Sequence, residues 1–274
     1  MNFHPGRLWA ATYPLLPAQN GFLITQLARR DVLGRYKGSL LGLAWSLLLP
    51  LLMLATYTVV FRDIFKARWP GAGESTSLFA LNILAGLVLF NFFSEVVGRS
   101  PKLVLEQPNL VKRVVFPLES LVWVNIASGL FNAVLGTLVL AMGIWLAQGS
   151  LPLSAIAAPL ALLVIVPALL CLGWIMAAVG VYLRDLAQVI GPLLNLMLFL
   201  TPVLFPASSL PSSVQALLYL NPLTLPIEAL RTCMLLGQWP DASPLVLQLA
   251  VSWVLAGGAY WVFKRLKRDF ADQL

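Results

Sequence analysis

Side chains that carry out chemistry are scarce in this sequence. It has one histidine, His4, two cysteines, Cys171 and Cys233, and 11% charged residues, against about 25% in a soluble domain. A lone histidine in the N-terminal arm reads as a surface residue. Carboxylates do not cluster at metal-ligand spacing, so no catalytic residue and no metal site is assigned. Two cysteines without a CxxC pattern support neither a disulfide framework nor a thiolate metal site, and both read as small apolar packing residues. The phosphate-cradling pattern GxxxxGK[ST] is also missing, since Gly34 to Ser39 reads Gly-Arg-Tyr-Lys-Gly-Ser. If ATP drives this chain, another polypeptide binds it. Finally, no Asp, Lys, Arg or His stands in the middle of a long apolar run, which disfavours a proton-coupled carrier, because such carriers need buried ionisable relays.

What fills the chain instead is hydrocarbon. Hydrophobic residues make up 59% of it and the mean hydropathy is +0.86, the composition of an integral membrane protein. The net charge of +7 would suggest nucleic acid in a soluble domain. Here the basic residues lie beside apolar runs, where anionic lipid headgroups are the nearer partner, and no nucleic-acid partner is expected. Six runs can cross the ~30 Å hydrocarbon core as helices: Ser39 to Phe61, Leu78 to Val97, Leu118 to Leu146, Leu153 to Leu183, Val189 to Phe205 and Pro244 to Phe263. The fifth, at roughly 17 residues, reaches only the lower limit of a spanning helix. The N-terminal apolar stretch is short and broken by Pro14 and Pro17, unlike a cleavable signal peptide.

Orientation follows from the basic residues. Lys264, Arg265, Lys267 and Arg268 directly follow the last run and hold the C-terminus in the cytoplasm. With six spans and both termini cytoplasmic, only Arg62, Lys66, Arg68 and Arg231 of the 18 Lys and Arg fall outside. Counting residues 207–236 as a further crossing would move the four C-terminal charges outward and erase most of that bias. That stretch is broken by Pro211, Pro222 and Pro226. Val214 to Leu220 and Leu225 to Leu236 therefore read as a re-entrant helical hairpin on the outer side, between spans five and six, tolerated at membrane depth only where protein or a water-filled cavity covers its backbone. Glu228 and Arg231 stand three residues apart on it, close enough to interact on a helix. Arg62, Lys66 and Arg68 run against the inside bias just beyond the first span, and suggest an external task facing anionic substrate or lipid.

Three further patterns stand out. From Phe22 to Lys37, Ile24, Ala28, Val32 and Tyr36 recur every four residues among Arg29, Arg30, Asp31, Arg35 and Lys37. This predicts an amphipathic interface helix with its apolar stripe in the acyl boundary, either a plain anchor or a charged face open to another protein. On the third span, Asn125, Ser128, Gly129, Asn132 and Gly136 make a narrow face for close packing or interhelical hydrogen bonds. Aromatic residues including Trp45, Tyr57, Phe61, Phe199 and Phe205 either line a conduit on which sugar rings stack or form ordinary interfacial belts.

In order, these parts resemble a known family. Arg35-Tyr36-Lys37-Gly38-Ser39-Leu40-Leu41-Gly42 leads to Trp45 and Pro50. Asn109-Leu110-Val111-Lys112-Arg113-Val114-Val115-Phe116-Pro117-Leu118-Glu119 follows the second span, and then come Tyr182-Leu183-Arg184-Asp185, Thr201-Pro202-Val203-Leu204-Phe205-Pro206 and Asn221-Pro222. Over nearly the whole chain they are similar to the membrane permease of type-2 ABC exporters for bacterial polysaccharides, the exporters of O-antigen, capsule and teichoic acid.

The resemblance implies an all-α inner-membrane permease, a single transmembrane domain over residues 1–274. It would be a homodimer with two cytoplasmic ATPase subunits that bind ATP and Mg, while this chain binds no cofactor. The cargo would be a lipid-linked glycan, O-antigen on undecaprenyl diphosphate above all. Arg29, Arg30 and Asp31 of the interface helix, with Glu106, Asn109, Lys112 and Arg113 of a coupling loop within residues 99–115, would meet the ATPase. Trp45, Tyr57, Phe61, Phe199 and Phe205 would line the conduit, and Tyr219, Glu228 and Arg231 would form the outer gate. A drug or small-lipid exporter of the same class would share this topology. A purely structural membrane protein would not explain the basic helix, the basic loop and the broken hairpin together.

Overall fold

The computed structural model describes residues 20–36, 42–64, 69, 75–111 and 116–273. Every regular element among them is helical, as a lipid-embedded chain that must satisfy its own backbone requires. The helices are α1 (Gly21–Tyr36), α2 (Trp45–Thr58), α3 (Thr76–Arg99), α4 (Pro108–Val111), α5 (Ser120–Gln148), α6 (Ala158–Val164), α7 (Val166–Tyr182), α8 (Leu186–Phe199), α9 (Ser212–Leu218), α10 (Thr224–Met234), α11 (Ala242–Leu266) and α12 (Phe270–Gln273).

Four stretches among the described residues are long and apolar enough to span: Thr76–Lys102, Ser120–Gln148, Leu153–Tyr182 and Ala242–Asp269. They match the second, third, fourth and sixth expected runs. The first run is helical over residues 42–64, with Pro50 inside α2 and a wider π-turn over Val59–Ile64. The fifth run departs from expectation. Instead of running from Val189 to Phe205, α8 ends at Phe199 after 14 residues, about 21 Å of helix. Pro202 ends it: proline has no N–H to continue the ladder and disfavours helix at the residue before it. Thr201 Oγ1 donates back to Met197 O at 2.7 Å.

Helix α3 is the core of the bundle, buried along most of its length. It packs antiparallel to α5 through the small-residue face read from the sequence. Asn125 Nδ2 donates to Val96 O at 2.8 Å, and a Cβ added at Gly129, Gly136 or Gly143 would come within 3.0 Å of Val96, 3.0 Å of Val88 and 2.7 Å of Leu81 respectively. As numbers rise on α5 they fall on α3. On the other side α7 and α11 run alongside each other, with Trp174 and Tyr260 edge-to-face at 5.1 Å.

The interface helix differs from its expected seat. Ile24 and Ala28, two residues of its apolar stripe, are buried, and α1 packs on α5. That part of the stripe faces protein rather than acyl chains, while Phe22 and Leu33 on other faces stay exposed.

The two ends of the bundle differ in charge. At one end Arg99 meets Asp31, Lys267 meets Glu119 and the Tyr182 hydroxyl donates to Leu266 O. The hairpin α9–α10 lies at the other end, held by Ser154 Oγ donating to Cys233 O at 2.6 Å and Gln248 Nε2 donating to Pro222 O at 2.7 Å. Its two helices fall within a few residues of the expected halves.

Candidate functional site

The basic end is organised by one acid. Asp31 of α1 accepts from Arg99 through two bonds, Nη1 to Oδ2 at 2.8 Å and Nη2 to Oδ1 at 2.9 Å. It also accepts from Arg35 Nη2 at 2.7 Å. Arg35 in turn donates to Glu95 Oε1, whose other oxygen accepts from Asn132 Nδ2 at 2.9 Å. This chain of charge-assisted bonds fastens α1 to α3 and α5. Burial opposes ionisation of Asp31, but hydrogen bonds from Arg99 and Arg35 and their charges outweigh it, holding its carboxyl well below the usual carboxylate range. Burial likewise works against the charged form of Arg35, and its bonds to Glu95 and Asp31 reverse the balance and raise it.

Beside this network lies the loop after α3. Its inner side is jammed: Ser100, Pro101 and Val104 are buried, and a Cβ at Gly180 would come within 2.1 Å of Pro101 O. Only glycine on α7 admits the loop this closely. Its outer side, with Lys102, Glu106 and Asn109, is exposed. A second brace joins Lys267 Nζ to Glu119 Oε2 at 2.7 Å, while Trp174 Nε1 donates to Glu119 O at 3.1 Å.

At the other end Arg231 is 3% exposed and each guanidinium nitrogen is bonded. Nε and Nη2 both donate to Asn82 O at 3.1 Å, Nη2 also to Val203 O at 3.0 Å, and Nη1 to Pro202 O at 2.7 Å and Glu228 Oε1 at 2.9 Å. These five bonds match the five N–H donors of arginine. Trp69 lies 4.4 Å from the guanidinium carbon, at cation–π distance. The Pro202 and Val203 carbonyls are available because the chain unwinds after Phe199, whereas Asn82 O belongs to α3. A Cβ at Gly86 would come within 2.9 Å of Val203 Cα and 3.0 Å of Arg231 Nη2. Asn221 completes the clamp, its Nδ2 donating to Thr201 Oγ1 at 2.9 Å and its Oδ1 accepting from Leu223 N at 3.0 Å.

Residues 23–235 match the ABC-2 type transporter family. The chain belongs to this family. It is similar to the O-antigen export system permease protein RfbA of Myxococcus xanthus, with 30% identity over 92% of this chain and 95% of that relative. It is also similar to two Klebsiella pneumoniae proteins of the same name, at 23% and 22% identity over 92% of this chain and 95% of each relative. The family, these relatives and the apolar helices make it a multi-pass inner-membrane protein.

Of the ATPase-facing residues expected in this ABC-2 chain, Arg29, Arg30, Glu106 and Asn109 are exposed at the basic end. Asp31 is different: its carboxylate is engaged inside the bundle. Lys112 and Arg113 lie outside the described residues, as do Lys66 and Arg68.

The expected conduit residues are scattered within one chain. Trp45 lines a cavity of about 450 Å³ between α2, α3 and α5, with Asn91, Ser94, Glu95 and Asn132. Tyr57 and Phe61 pack edge-to-face at 6.5 Å, Phe199 is exposed and Phe205 half-buried. Among the expected gate residues, the Glu228–Arg231 pair forms as its spacing suggested. Arg231, however, is an internal clamp rather than a surface charge, and Tyr219 is half-exposed. Sequence reasoning missed Asn82, Gly86 and Trp69. The signal available was an arginine in an otherwise apolar hairpin, which needs buried acceptors.

Proposed function

We propose that this chain is the membrane subunit of an ATP-driven exporter of lipid-linked polysaccharide, with O-antigen on undecaprenyl diphosphate as its cargo. It works as a homodimer with two ATPase subunits that carry ATP and Mg. It performs no bond chemistry itself. By the positive-inside rule the basic end, with both termini, faces the cytoplasm, and the Arg231-clamped hairpin re-enters from the outer side, where Tyr219, Glu228 and Arg231 form the gate.

The observation carrying this reading is the construction of the basic end. Exposed Arg29, Arg30, Glu106 and Asn109 stand on elements whose inner sides are fixed to the spans by Asp31–Arg99 and by Pro101 against Gly180. A push on such a surface is transmitted to the helices rather than absorbed locally. The relatives named as O-antigen export permeases support the choice of cargo.

The test is reconstitution of the chain with its partner ATPase in proteoliposomes, with undecaprenyl-linked O-antigen in the outer leaflet corresponding to the cytoplasm. ATP-dependent disappearance of the glycan from that leaflet supports the reading. ATP turnover stimulated by drugs or short lipids, with the glycan inert, would assign it to small-molecule export.

A further inference from the structure

We propose that the cleft between the hairpin and α11 is a binding site for a zwitterionic membrane lipid, an acyl amphiphile whose headgroup ends in an ammonium. This goes beyond the export reading and does not depend on the cargo.

The cleft has a volume of about 1200 Å³ and is zoned along its depth. Its mouth holds Tyr219, Glu228, Trp239 and Asp241, and its lower part Leu172, Met197, Val251 and Leu255. Asp241 and Leu255 lie fourteen positions apart along α11, about 21 Å at 1.5 Å per residue, more than one leaflet of a ~30 Å hydrocarbon core. Walls that apolar and that deep suit acyl chains, which can leave the bilayer for them because lipid tails and the wall are equally apolar.

Charge complementarity selects the headgroup. Two carboxylates line the mouth, Glu228 paired with Arg231 and Asp241 in no ion pair among the described residues, and no Lys or Arg among the described residues lines the cleft. Behind Glu228, Arg231 has every N–H donor committed, so it has none left for an anion. Tyr219 and Trp239 are exposed beside the carboxylates, and aromatic faces next to carboxylates make the surroundings an alkylammonium favours. An anionic headgroup would meet the Asp241 carboxylate with no cation beside it among the described residues.

The full-length chain, purified in detergent and supplied with dioleoyl lipids, is examined by native mass spectrometry after mild washing. Phosphoethanolamine lipid should be retained about tenfold over phosphoglycerol lipid of the same chains, the size of one good charged contact. Asp241→Lys combined with Trp239→Ala should abolish that preference, and Val251→Trp should lower retention of both lipids by filling the acyl zone. Asp241 makes no capping hydrogen bond, so the headgroup variant decides the matter even where the tryptophan variant fails to fold.

Equal retention of the two lipids by the native chain would overturn the proposal, as would a preference that survives the double substitution. A glucosyl lipid held as tightly as the ethanolamine lipid would overturn the choice of ammonium. Cross-linking of two copies in membranes through Leu247→Cys, with Cys171 and Cys233 replaced by serine, would show that a second chain fills the cleft and would also reject it.

Discussion

Asp31 on the interface helix and Arg99 at the end of the second span form a two-bond, end-on ion pair, Nη1 to Oδ2 at 2.8 Å and Nη2 to Oδ1 at 2.9 Å. The pair determines which half of α1 is free. The side carrying Asp31 and Arg35 belongs to the bundle, and the side carrying Arg29 and Arg30 remains for a partner.

Breaking that pair should loosen α1. Asp31→Asn should reduce stability by about 1–3 kcal/mol, the usual cost of losing charge-assisted bonds, seen as faster hydrogen exchange over residues 21–36. Exchanging the charges, Asp31→Arg with Arg99→Asp, should recover part of it. Because the folded carboxyl is held below its usual value, the stabilisation is complete above an unfolded pKa near 3.9 and is lost only as pH falls through the lower folded value. Exchange over α1 should therefore be insensitive to this group from pH 8 to 5 and rise only in strong acid.

The clamp at Arg231 should tolerate no simple replacement. Arg231→Ala leaves the Asn82, Pro202 and Val203 carbonyls and the Glu228 carboxylate without their donor, at a cost of about 3–5 kcal/mol. Arg231→Lys should not rescue it, since an ammonium on a flexible stem cannot span acceptors arranged for a planar fork. Both variants should lower the thermal midpoint in detergent; a lysine variant melting like the native chain would refute the five-donor geometry as the reason for arginine.

Sidedness is testable on described residues. With Cys171 and Cys233 replaced, a cysteine at Ser150 should react with an impermeant thiol reagent added from outside, and one at Asp185 should not. Both positions are exposed, so burial does not explain a failure to react. The opposite pattern would invert the bundle.

How much of this was legible in the chain depends on distance along it. Local features were readable: the small-residue face of α5, the Glu228–Arg231 pair three residues apart, and helices broken at proline. Long-range pairings were not. Asp31 reads as a free surface acid because Arg99 lies 68 positions away. Thr201-Pro202 and Asn221-Pro222 read as two separate breaks, yet the hydrogen bond from Asn221 to Thr201 makes them one clip. The fifth run looks continuous by hydropathy through Phe205, whereas Pro202 stops the helix and frees the carbonyls that Arg231 takes up. Hydropathy records partition into lipid and says nothing of backbone donors.

Arg29 and Arg30 provide the sharpest contrast with Asp31. Both are exposed on α1, and no ion pair is described for either among the described residues. Reversing them to glutamate should therefore change the melting temperature of the purified chain little, within the roughly ±0.5 kcal/mol usual for surface substitutions. It should nevertheless weaken capture of the ATPase, because rim charges act through complementarity with the partner rather than through the fold. The comparison is a pull-down of the ATPase by native chain, Arg29→Glu/Arg30→Glu and Asp31→Asn, with melting measured on each. The double variant should lose ATPase binding at native stability, and Asp31→Asn should lose stability first. Undiminished ATPase capture by the double variant would remove α1 from the coupling surface and leave the loop after α3 to carry it alone.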